Sequence, residues 1–236
     1  TSIGESAFWW CWNLTNVVIG NSVTNIGGSA FAACSSLPNI TVSLANTAYS
    51  SVDGVLFNKN GSELIQCPAG RAGSYTLPDG VTNIGGASFY GCWSLSSVII
   101  PDSVTGIGSW PFEGCASLKS ICFHGSAPVY NSYVFSMSPP TVYYRYGATG
   151  WTNIFAGCPT AIWPECMSVS VTAEGYVFEI VADENQSVTA EACTNLSSGD
   201  WETVGEPFMV PAGNRYTFAD PAGAPAARRY YRVVLR

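Results

Sequence analysis

The sequence predicts a mainly β protein in which a solenoid of short parallel strands is followed by a small β-sandwich domain. Three observations predict this fold class. A phrase of spaced apolar residues occurs four times, in two pairs of copies that are each 23 residues apart. β-Branched residues alternate with other residues after each copy, which is typical of strands with one buried face. From residue 165 onward the phrase is absent, and six short alternating runs between turn residues indicate a β-sandwich.

The repeated phrase is an Ile-Gly pair followed at fixed spacing by Phe, Cys and Leu. A fixed period of roughly 20 to 29 residues with leucine-type positions indicates a leucine-rich-repeat solenoid. We assign this solenoid to residues 1–164 and the β-sandwich to residues 165–236. We expect the glycine of each pair in a tight turn, where a side chain would be costly. The copies begin at Ile3, Ile26, Ile84 and Ile107.

Each copy of the phrase leads into a strand. Val17 and Ile19 in the first coil, and Ile40 and Val42 in the second, are predicted to face the core. The residues between them face outward, and in a solenoid this outer strand face forms an extended platform. The predicted platform carries Asn16, Val18, Asn39, Thr41, Ser97, Ile99 and Ser120.

Two regions depart from the regular pattern. Residues 43–80 form an insertion, because the third Ile-Gly pair follows the second by 58 residues. Alternating runs on both sides of residues 58–61 (Asn-Lys-Asn-Gly) predict a β-hairpin there. Residues 119–164 are predicted to cap the solenoid, with Ile121 and Phe123 in its last regular strand. The aromatic residues expected to cover the terminal coil are Tyr143, Trp151, Phe155 and Trp163.

The composition excludes several classes of function. Only 11% of the residues are charged, the net charge is −7 and the pI is about 4.5, so the chain lacks the basic surface that nucleic acid requires. No apolar run of roughly 18 residues predicts a membrane span. The chain shows no initiator Met and no signal peptide, and it begins inside a repeat. We therefore expect it to be part of a longer protein.

The nine cysteines favour structural thiols over a disulfide scaffold. Four of them share one position of the repeat, so they are expected to stack in a column and face inward as small apolar residues with weak S–H donors. These four are Cys11, Cys34, Cys92 and Cys115. The disulfide state of the others stays open, including a bridge such as Cys158–Cys166; they are Cys67, Cys122, Cys158, Cys166 and Cys193. With one histidine and no Cys-x-x-Cys pair, we expect no metal site and no cofactor.

No set of residues predicts catalysis. His124 is the only histidine and stands at the end of a strand, where a structural role is expected. Cys122 would face the same side of that strand, so a Cys–His pair is conceivable. The carboxylates of Asp79 and Asp102 belong to turn sequences that explain them without a catalytic role. We predict that the protein is not an enzyme and has no catalytic residues.

Four tryptophans are the sharper candidates for a binding site. Trp9, Trp10 and Trp12 are adjacent, and Trp93 shares the repeat position of Trp12. If they are exposed, they form an aromatic patch that stacks on sugar rings or anchors a protein partner. The alternative is that some pack inward, or that they merely cover the first coil. The candidate binding residues on the strand face are Asn16, Asn39, Thr41, Ser97 and Ser120.

The repeat resembles a known family. Residues 84–95, followed by Ile99–Thr105, resemble the BspA-like leucine-rich repeat of bacterial surface proteins. The insertion is similar to one that this family often carries. The chain departs from the pattern at Pro111 and at the four tryptophans. The resemblance covers about residues 1–164 and implies a secreted or cell-surface protein, often adhesive, without catalytic residues. More weakly, residues 229–234 resemble small C-terminal β-domains of bacterial secreted proteins.

Three functions follow as hypotheses. The first is a non-catalytic, surface-exposed or secreted adhesion module that binds a protein or glycan on a cell surface or host matrix. The second is a passive spacer of a larger envelope protein, which predicts no conspicuous exposed apolar patch. The third is a carbohydrate-binding or carbohydrate-active protein, which predicts coplanar exposed Trp rings or two carboxylates facing one groove. The expected location is extracellular or at the bacterial cell surface.

Overall fold

The structure is a computed structural model that describes residues 1–137, 139–145 and 147–163, and six further strands between residues 165 and 235. The elements of the described residues are strands joined by turns. These residues include no helix that is long and apolar enough to cross a membrane. The chain divides into two compact units. One unit comprises Thr1–Tyr144 and Ala148–Thr160, and the other comprises Arg145–Gly147 and Ala161–Arg236.

The first unit is a solenoid of six coils, and each coil has a first strand, a turn segment and a second strand. The strands are β1 (Ser2–Ile3), β2 (Val17–Ile19), β3 (Asn25–Ile26), β4 (Ile40–Val42), β5 (Tyr49–Val52), β6 (Val55–Asn58), β7 (Glu63–Gln66), β8 (Gly73–Thr76), β9 (Asn83–Ile84), β10 (Leu95–Ile100), β11 (Gly106–Ile107), β12 (Ser120–Phe123), β13 (Val129–Tyr130), β14 (Thr141–Tyr144), β15 (Ile154–Phe155) and β16 (Cys158–Ile162). Coils 1 to 6 are β1/β2, β3/β4, β7/β8, β9/β10, β11/β12 and β13/β14.

Equivalent strands of successive coils pair in parallel. Val17 lies opposite Ile40, and Ser97 lies opposite Ser120, each 23 residues further along the chain. The second strands of coils 3 to 6 form one sheet in the order β8-β10-β12-β14-β16-β15. The first strands form another sheet, in the order β5-β6-β7-β9-β11-β13. The strands of coils 1 and 2 form two separate pairs, β1-β3 and β2-β4. This pairing confirms the predicted mainly β repeat solenoid.

A column of phenylalanine rings fills the core beneath the turn segments. Phe89 and Phe112 stack with their ring centroids 4.8 Å apart, and Phe112 and Phe135 stack at 5.6 Å. Phe89 and Phe112 are fully buried. Burying one such side chain contributes about 1.5–3 kcal/mol of transfer free energy, so the ring column is a large share of the apolar stabilisation.

In three of the four Ile-Gly pairs, those of coils 2, 4 and 5, the glycine is required by close contact with the preceding coil, whereas a Cβ atom at Gly4 would meet nothing within 4 Å. A Cβ atom added at Gly108 would lie 2.5 Å from the backbone N of Gly86 in the preceding coil, and one at Gly85 would lie 2.6 Å from the carbonyl O of Leu64. Neither glycine is among the residues with positive φ. The side chain is therefore excluded because neighbouring backbones touch, and the predicted tight turn is not the reason.

The insertion forms two consecutive hairpins. β5 and β6 are joined by Asp53 and Gly54, whose φ angles of 49° and 75° match the turn that Asp-Gly favours in two-residue hairpins. β6 pairs antiparallel with β7 around residues 59–62, which confirms the predicted hairpin. The amide of Ile40 donates to the carbonyl of Gly54 at 2.7 Å. The first hairpin, β5-β6, therefore occupies the edge of β4. The predicted extended platform is divided between the β2-β4 pair and the sheet that contains β10 and β12.

The solenoid has two more coils than the four copies of the repeat phrase predict: coil 3, which lies in the predicted insertion, and coil 6, which lies in the predicted cap. β14 pairs in parallel with β12, with Val142 opposite Ile121, so β12 is not the last regular strand. Coil 6 keeps the stacked Phe135 but carries Tyr130 and Asn131 where coils 1, 2, 4 and 5 have Ile and Gly. It also lacks the Cys and Leu of the phrase, which is why the sequence pattern did not reveal it.

Two of the four aromatic residues predicted to cover the terminal coil, Trp151 and Phe155, pack together at this end of the solenoid. The ring of buried Phe155 lies 5.0 Å from that of Trp151, 5.5 Å from Phe123 and 4.7 Å from Tyr130. The other two predicted covering residues, Tyr143 and Trp163, are half-buried.

The cysteine column behaves as predicted in three of its four members. Cys34, Cys92 and Cys115 are fully buried free thiols. The thiol of Cys34 donates to the carbonyl of Phe8 at 3.0 Å, and that of Cys115 donates to the corresponding carbonyl of Phe89 at 3.2 Å. Cys11, predicted to face inward, is exposed, and within the described residues its coil is covered on the side of coil 2 alone. Outside the column, Cys158 is also a free buried thiol.

The second unit contains two three-stranded antiparallel sheets, in the orders β17-β18-β21 and β20-β19-β22. Each of the six predicted alternating runs overlaps one of these strands. Packing of two such sheets face to face would bury one face of each, and the β-sandwich stays a prediction. The side chains of Cys166 and Cys193 lie outside the described residues. The strands are β17 (Glu165–Thr172), β18 (Gly175–Val181), β19 (Ser187–Cys193), β20 (Glu202–Met209), β21 (Arg215–Asp220) and β22 (Tyr230–Leu235).

Gly108→Ala tests the contact between coils. We expect the substitution to lower the free energy of unfolding in urea by about 2 kcal/mol or more, because the new methyl group overlaps the backbone of coil 4. The matched control is Gly20→Ala, since a Cβ there meets nothing within 4 Å and the change should stay within about 1 kcal/mol. Equal stability of the two variants would contradict the required close approach.

The buried thiols predict a loss of stability at alkaline pH. Burial raises the pKa of Cys115 from 9.0 to about 12. Between these values the unfolded chain holds fewer protons than the folded one, so the free energy of unfolding falls as pH rises, by about 1.4 kcal/mol per pH unit for one such thiol. We expect Cys115→Ala to reduce this slope in urea titrations from pH 8 to pH 10.5. Val104→Ala, a buried change without a titrating group, should leave the slope as it is.

Candidate functional site

The turn segments of coils 1 and 4 bring four aromatic residues together. The rings of Trp9 and Tyr90 have centroids 6.2 Å apart at an interplanar angle of 76°. The rings of Trp10 and Trp93 are 5.8 Å apart at 64°. Both pairs have the edge-to-face geometry that aromatic quadrupoles favour. We call these four residues the aromatic cluster.

Two alanines of coil 2 allow the cluster to form. Ala32 and Ala33 occupy the repeat positions of Trp9 and Trp10, and both are fully buried. Coil 3 has a much shorter turn segment, so coil 4 lies directly beside coil 2, where the amide of Ala33 donates to the carbonyl of Tyr90 at 3.1 Å. Because methyl side chains replace rings in coil 2, the aromatic residues of coils 1 and 4 meet above it.

The cluster is both supported and accessible. Trp9 and Trp10 expose 48% and 46% of their surface, and the neighbouring Trp12 exposes 61%. Trp93 is half-buried, with its indole Nε1 close to Gly114 of coil 5. The alternative that the tryptophans pack inward therefore does not hold for these three residues of coil 1. Trp93 shares its repeat position with Trp12, but the ring that meets Trp93 is that of Trp10.

Trp10 adopts an unfavourable backbone conformation. Its φ is 59°, and the same repeat position in later coils is held by Ala33, Gly91 and Gly114, with φ of 57°, 73° and 72°. The left-handed region costs an L-residue about 1–2 kcal/mol, and such outliers cluster at functional sites. Gly91 and Gly114 were the sequence signal for this conformation. It is a feature of the repeat, since Ala33 also adopts it and the position two residues before the core Phe is left-handed in five coils without a glycine.

A second exposed aromatic pair lies on coils 5 and 6. Trp110 and Tyr133 stack in parallel, with centroids 5.9 Å apart and an interplanar angle of 4°. They expose 48% and 65% of their surface. The sequence analysis did not find this pair, although both residues precede a core Phe by two positions.

The strand-face candidates lie on two sheets. Exposed Thr41 pairs with Val18 between β4 and β2, whereas half-buried Ser97 pairs with Ser120 between β10 and β12. Two further candidates, Asn16 and Asn39, are exposed just before β2 and β4. The structure thus brings these residues together in pairs, and not as one platform.

The conceivable Cys–His pair lies around the end of β12. Cys122 is buried in β12, and His124 is half-buried just after that strand. Within the described ranges, no group of three or more His, Cys, Asp or Glu side chains could hold a metal ion.

The coil arrangement agrees with a known repeat family. Six copies of the BspA type leucine rich repeat region match residues 1–71 and 69–143. The chain belongs to the BspA-type leucine-rich-repeat family. The match ends at residue 143, within β14, so coil 6 is included although it carries no copy of the repeat phrase.

Several solved structures are similar to this BspA-type chain. A leucine rich cell surface protein from Faecalibacterium prausnitzii has 30% identity and a TM-score of 0.48 over 63% of this chain and 46% of its own. A leucine-rich repeat protein from Eubacterium ventriosum has 27% identity and a TM-score of 0.42 over 57% of this chain and 43% of its own. The pneumococcal vaccine antigen PcpA has 19% identity and a TM-score of 0.41 over 57% and 52%. The chain spans about half the length of these proteins. No curated protein matches it by sequence.

Trp10→Gly tests whether the Trp10 backbone is strained. Glycine relieves the left-handed conformation, which offsets part of the lost ring contact, so we expect the free energy of unfolding to change by no more than about 1 kcal/mol. Trp93→Gly lacks this relief because Trp93 is not among the positive-φ residues, and it should cost about 2 kcal/mol or more. The check is urea unfolding of both variants; equal losses would contradict strain at Trp10.

Proposed function

We propose that this BspA-type solenoid is a non-catalytic protein-binding or adhesion module, with the aromatic cluster as the anchor for a partner protein. One observation carries the proposal. Rings from coils 1 and 4 meet over buried alanines and still leave about half of Trp9 and Trp10 exposed. Family membership supports a location outside the cell or at the bacterial surface.

The physical properties of the cluster suit a protein interface. Trp and Tyr are the residue types that most often dominate binding energy, because they bury a large area with few rotatable bonds. The rings contact each other, so little conformational entropy remains to be lost on binding. With 11% charged residues the chain offers a largely neutral surface, which suits an apolar or neutral partner surface.

The same features count against the two other hypotheses at this position. A passive spacer predicts no conspicuous exposed apolar patch, whereas Trp9, Trp10 and Trp12 form one. A sugar-binding site usually needs rings that share a plane, and the cluster's rings meet at 76° and 64°. The parallel pair Trp110–Tyr133 favours a glycan site as a second candidate, at a different place on the solenoid.

A combined array of glycans and host proteins tests the proposal. The wild-type chain is compared with the double variant Trp9→Ala/Trp10→Ala and with Trp110→Ala, a matched loss of one exposed tryptophan. We expect a protein hit whose affinity falls about 30-fold or more in the double variant and is kept in Trp110→Ala, since hot-spot residues contribute about 2 kcal/mol or more.

Other outcomes of this array lead to other functions. A glycan hit that is lost only in Trp110→Ala would favour the second candidate and count against the aromatic cluster. If no variant binds anything while circular dichroism shows that all are folded, the spacer hypothesis gains and adhesion by this chain is contradicted.

A further inference from the structure

Main-chain hydrogen bonds join the turn segments of neighbouring coils in a regular ladder. In each full pair of coils, the residue two positions before the core Phe and the Phe itself both donate their amide to a carbonyl of the next coil. These bonds are Ser6 to Gly28 at 2.9 Å, Phe8 to Ala30 at 2.8 Å, Ala87 to Ser109 at 2.9 Å and Phe89 to Pro111 at 2.8 Å.

Coil 2 lacks this pair of bonds. Its corresponding donors are the amides of Ser29 and Phe31, and within the part of the chain that the structure describes they make no hydrogen bond. Coil 3 has no turn residues at the place where their acceptors would stand. The next donor of the ladder is the amide of Ala33. It donates to the carbonyl of Tyr90, so this hydrogen bond joins coil 2 directly to coil 4.

A groove opens where the turn segment of coil 3 is shortened. It has a volume of about 200 Å³ and runs between Gly27–Phe31 of coil 2 and Gly85–Gly86 of coil 4. Its remaining lining includes Ile65 and Gln66, together with Glu63 as the only charged residue. Four glycines leave the walls as bare backbone. We call this groove the coil gap.

We propose that the coil gap binds an extended peptide segment of the partner protein, which takes the place of the turn residues that coil 3 lacks there. The segment's main-chain carbonyls accept hydrogen bonds from the amides of Ser29 and Phe31. This inference rests on the proposed protein-binding function and names the part of the partner that is recognised. Completion of an open ladder by a segment of another chain is an established mode of peptide recognition.

The walls of the coil gap determine which peptide fits. The volume of about 200 Å³ is below that of sites for drug-sized ligands, so the inserted residues are small ones such as Gly, Ala or Ser. Glu63 disfavours an acidic side chain in the same place. Coil 2 continues from Phe31 directly to Ala32 and Ala33, beneath the aromatic cluster, so larger residues flanking the inserted segment can reach Trp9 and Tyr90.

Amide hydrogen exchange of the free protein tests the open ladder. We expect the amides of Ser29 and Phe31 to exchange about tenfold faster or more than the hydrogen-bonded amides of Ala87 and Phe89, as the loss of one hydrogen bond predicts. Equal protection of the two pairs would mean that the donors of coil 2 are already satisfied, which would overturn the proposal.

Peptide binding tests the occupant. The probe is an array of N-acetylated, C-amidated octapeptides with a central Gly/Ala/Ser tetrapeptide and varied flanking residues. We expect bound peptides to slow exchange at Ser29 and Phe31, and Gly28→Val to weaken their binding about tenfold or more by filling the coil gap. Gly20→Val is the matched control, because a Cβ at either glycine meets nothing within 4 Å.

The outcomes separate the coil gap from the aromatic cluster. Binding that is lost in Gly28→Val and kept in Gly20→Val supports the coil gap, whether or not Trp9→Ala/Trp10→Ala also weakens it. Binding that survives Gly28→Val but is lost in the tryptophan variant overturns the coil gap and leaves the cluster as the anchor. If no peptide binds the wild type, the coil gap proposal is overturned, and the protein array still decides on the cluster.

Discussion

The close stacking of one coil on the next is the constraint on which the rest of this structure depends. Successive backbones touch at Gly85 and Gly108, where no side chain fits, and main-chain hydrogen bonds run from coil to coil along the strands and turn segments. Coils 2, 4 and 5 bury their Phe and their thiol against neighbouring coils. A change in one coil therefore alters the surroundings of the two coils beside it.

The insertion is such a change, and three features of the molecule follow from it. Its first hairpin covers the edge of β4 and divides the outer strand face. Its coil has a shortened turn segment, so coils 2 and 4 come into direct contact at Ala33 and Tyr90. The same shortening leaves the coil gap, where the two coils diverge. The irregular coil thus creates both the aromatic cluster and the groove beside it.

The aromatic cluster combines an unfavourable backbone conformation at Trp10 with ring contacts that hold its side chains in place. Trp10 holds a left-handed conformation that glycine occupies in later coils, and its ring stays about half exposed. Neither property improves the stability of the solenoid. Both are understandable if the ring contributes to binding, because a rigid exposed ring loses little entropy when a partner covers it. The buried alanines of coil 2 complete this arrangement without themselves reaching the surface.

The sequence by itself determined the repeat, its period, the core positions and the second hairpin, because these depend on local spacing and on turn chemistry that repeats in every coil. It also singled out the tryptophans of coil 1. Only the tertiary structure decided that Trp10 meets Trp93, that Tyr90 joins them and that Ser29 and Phe31 keep open donors. These features arise from contact between coils 2 and 4, which lie 58 residues apart in the chain, and no local pattern reports how far a shortened coil lets its neighbours approach. Coil 6 was missed for a related reason, since Phe135 and Val142 stack as in other coils while Tyr130 and Asn131 replace the Ile-Gly pair.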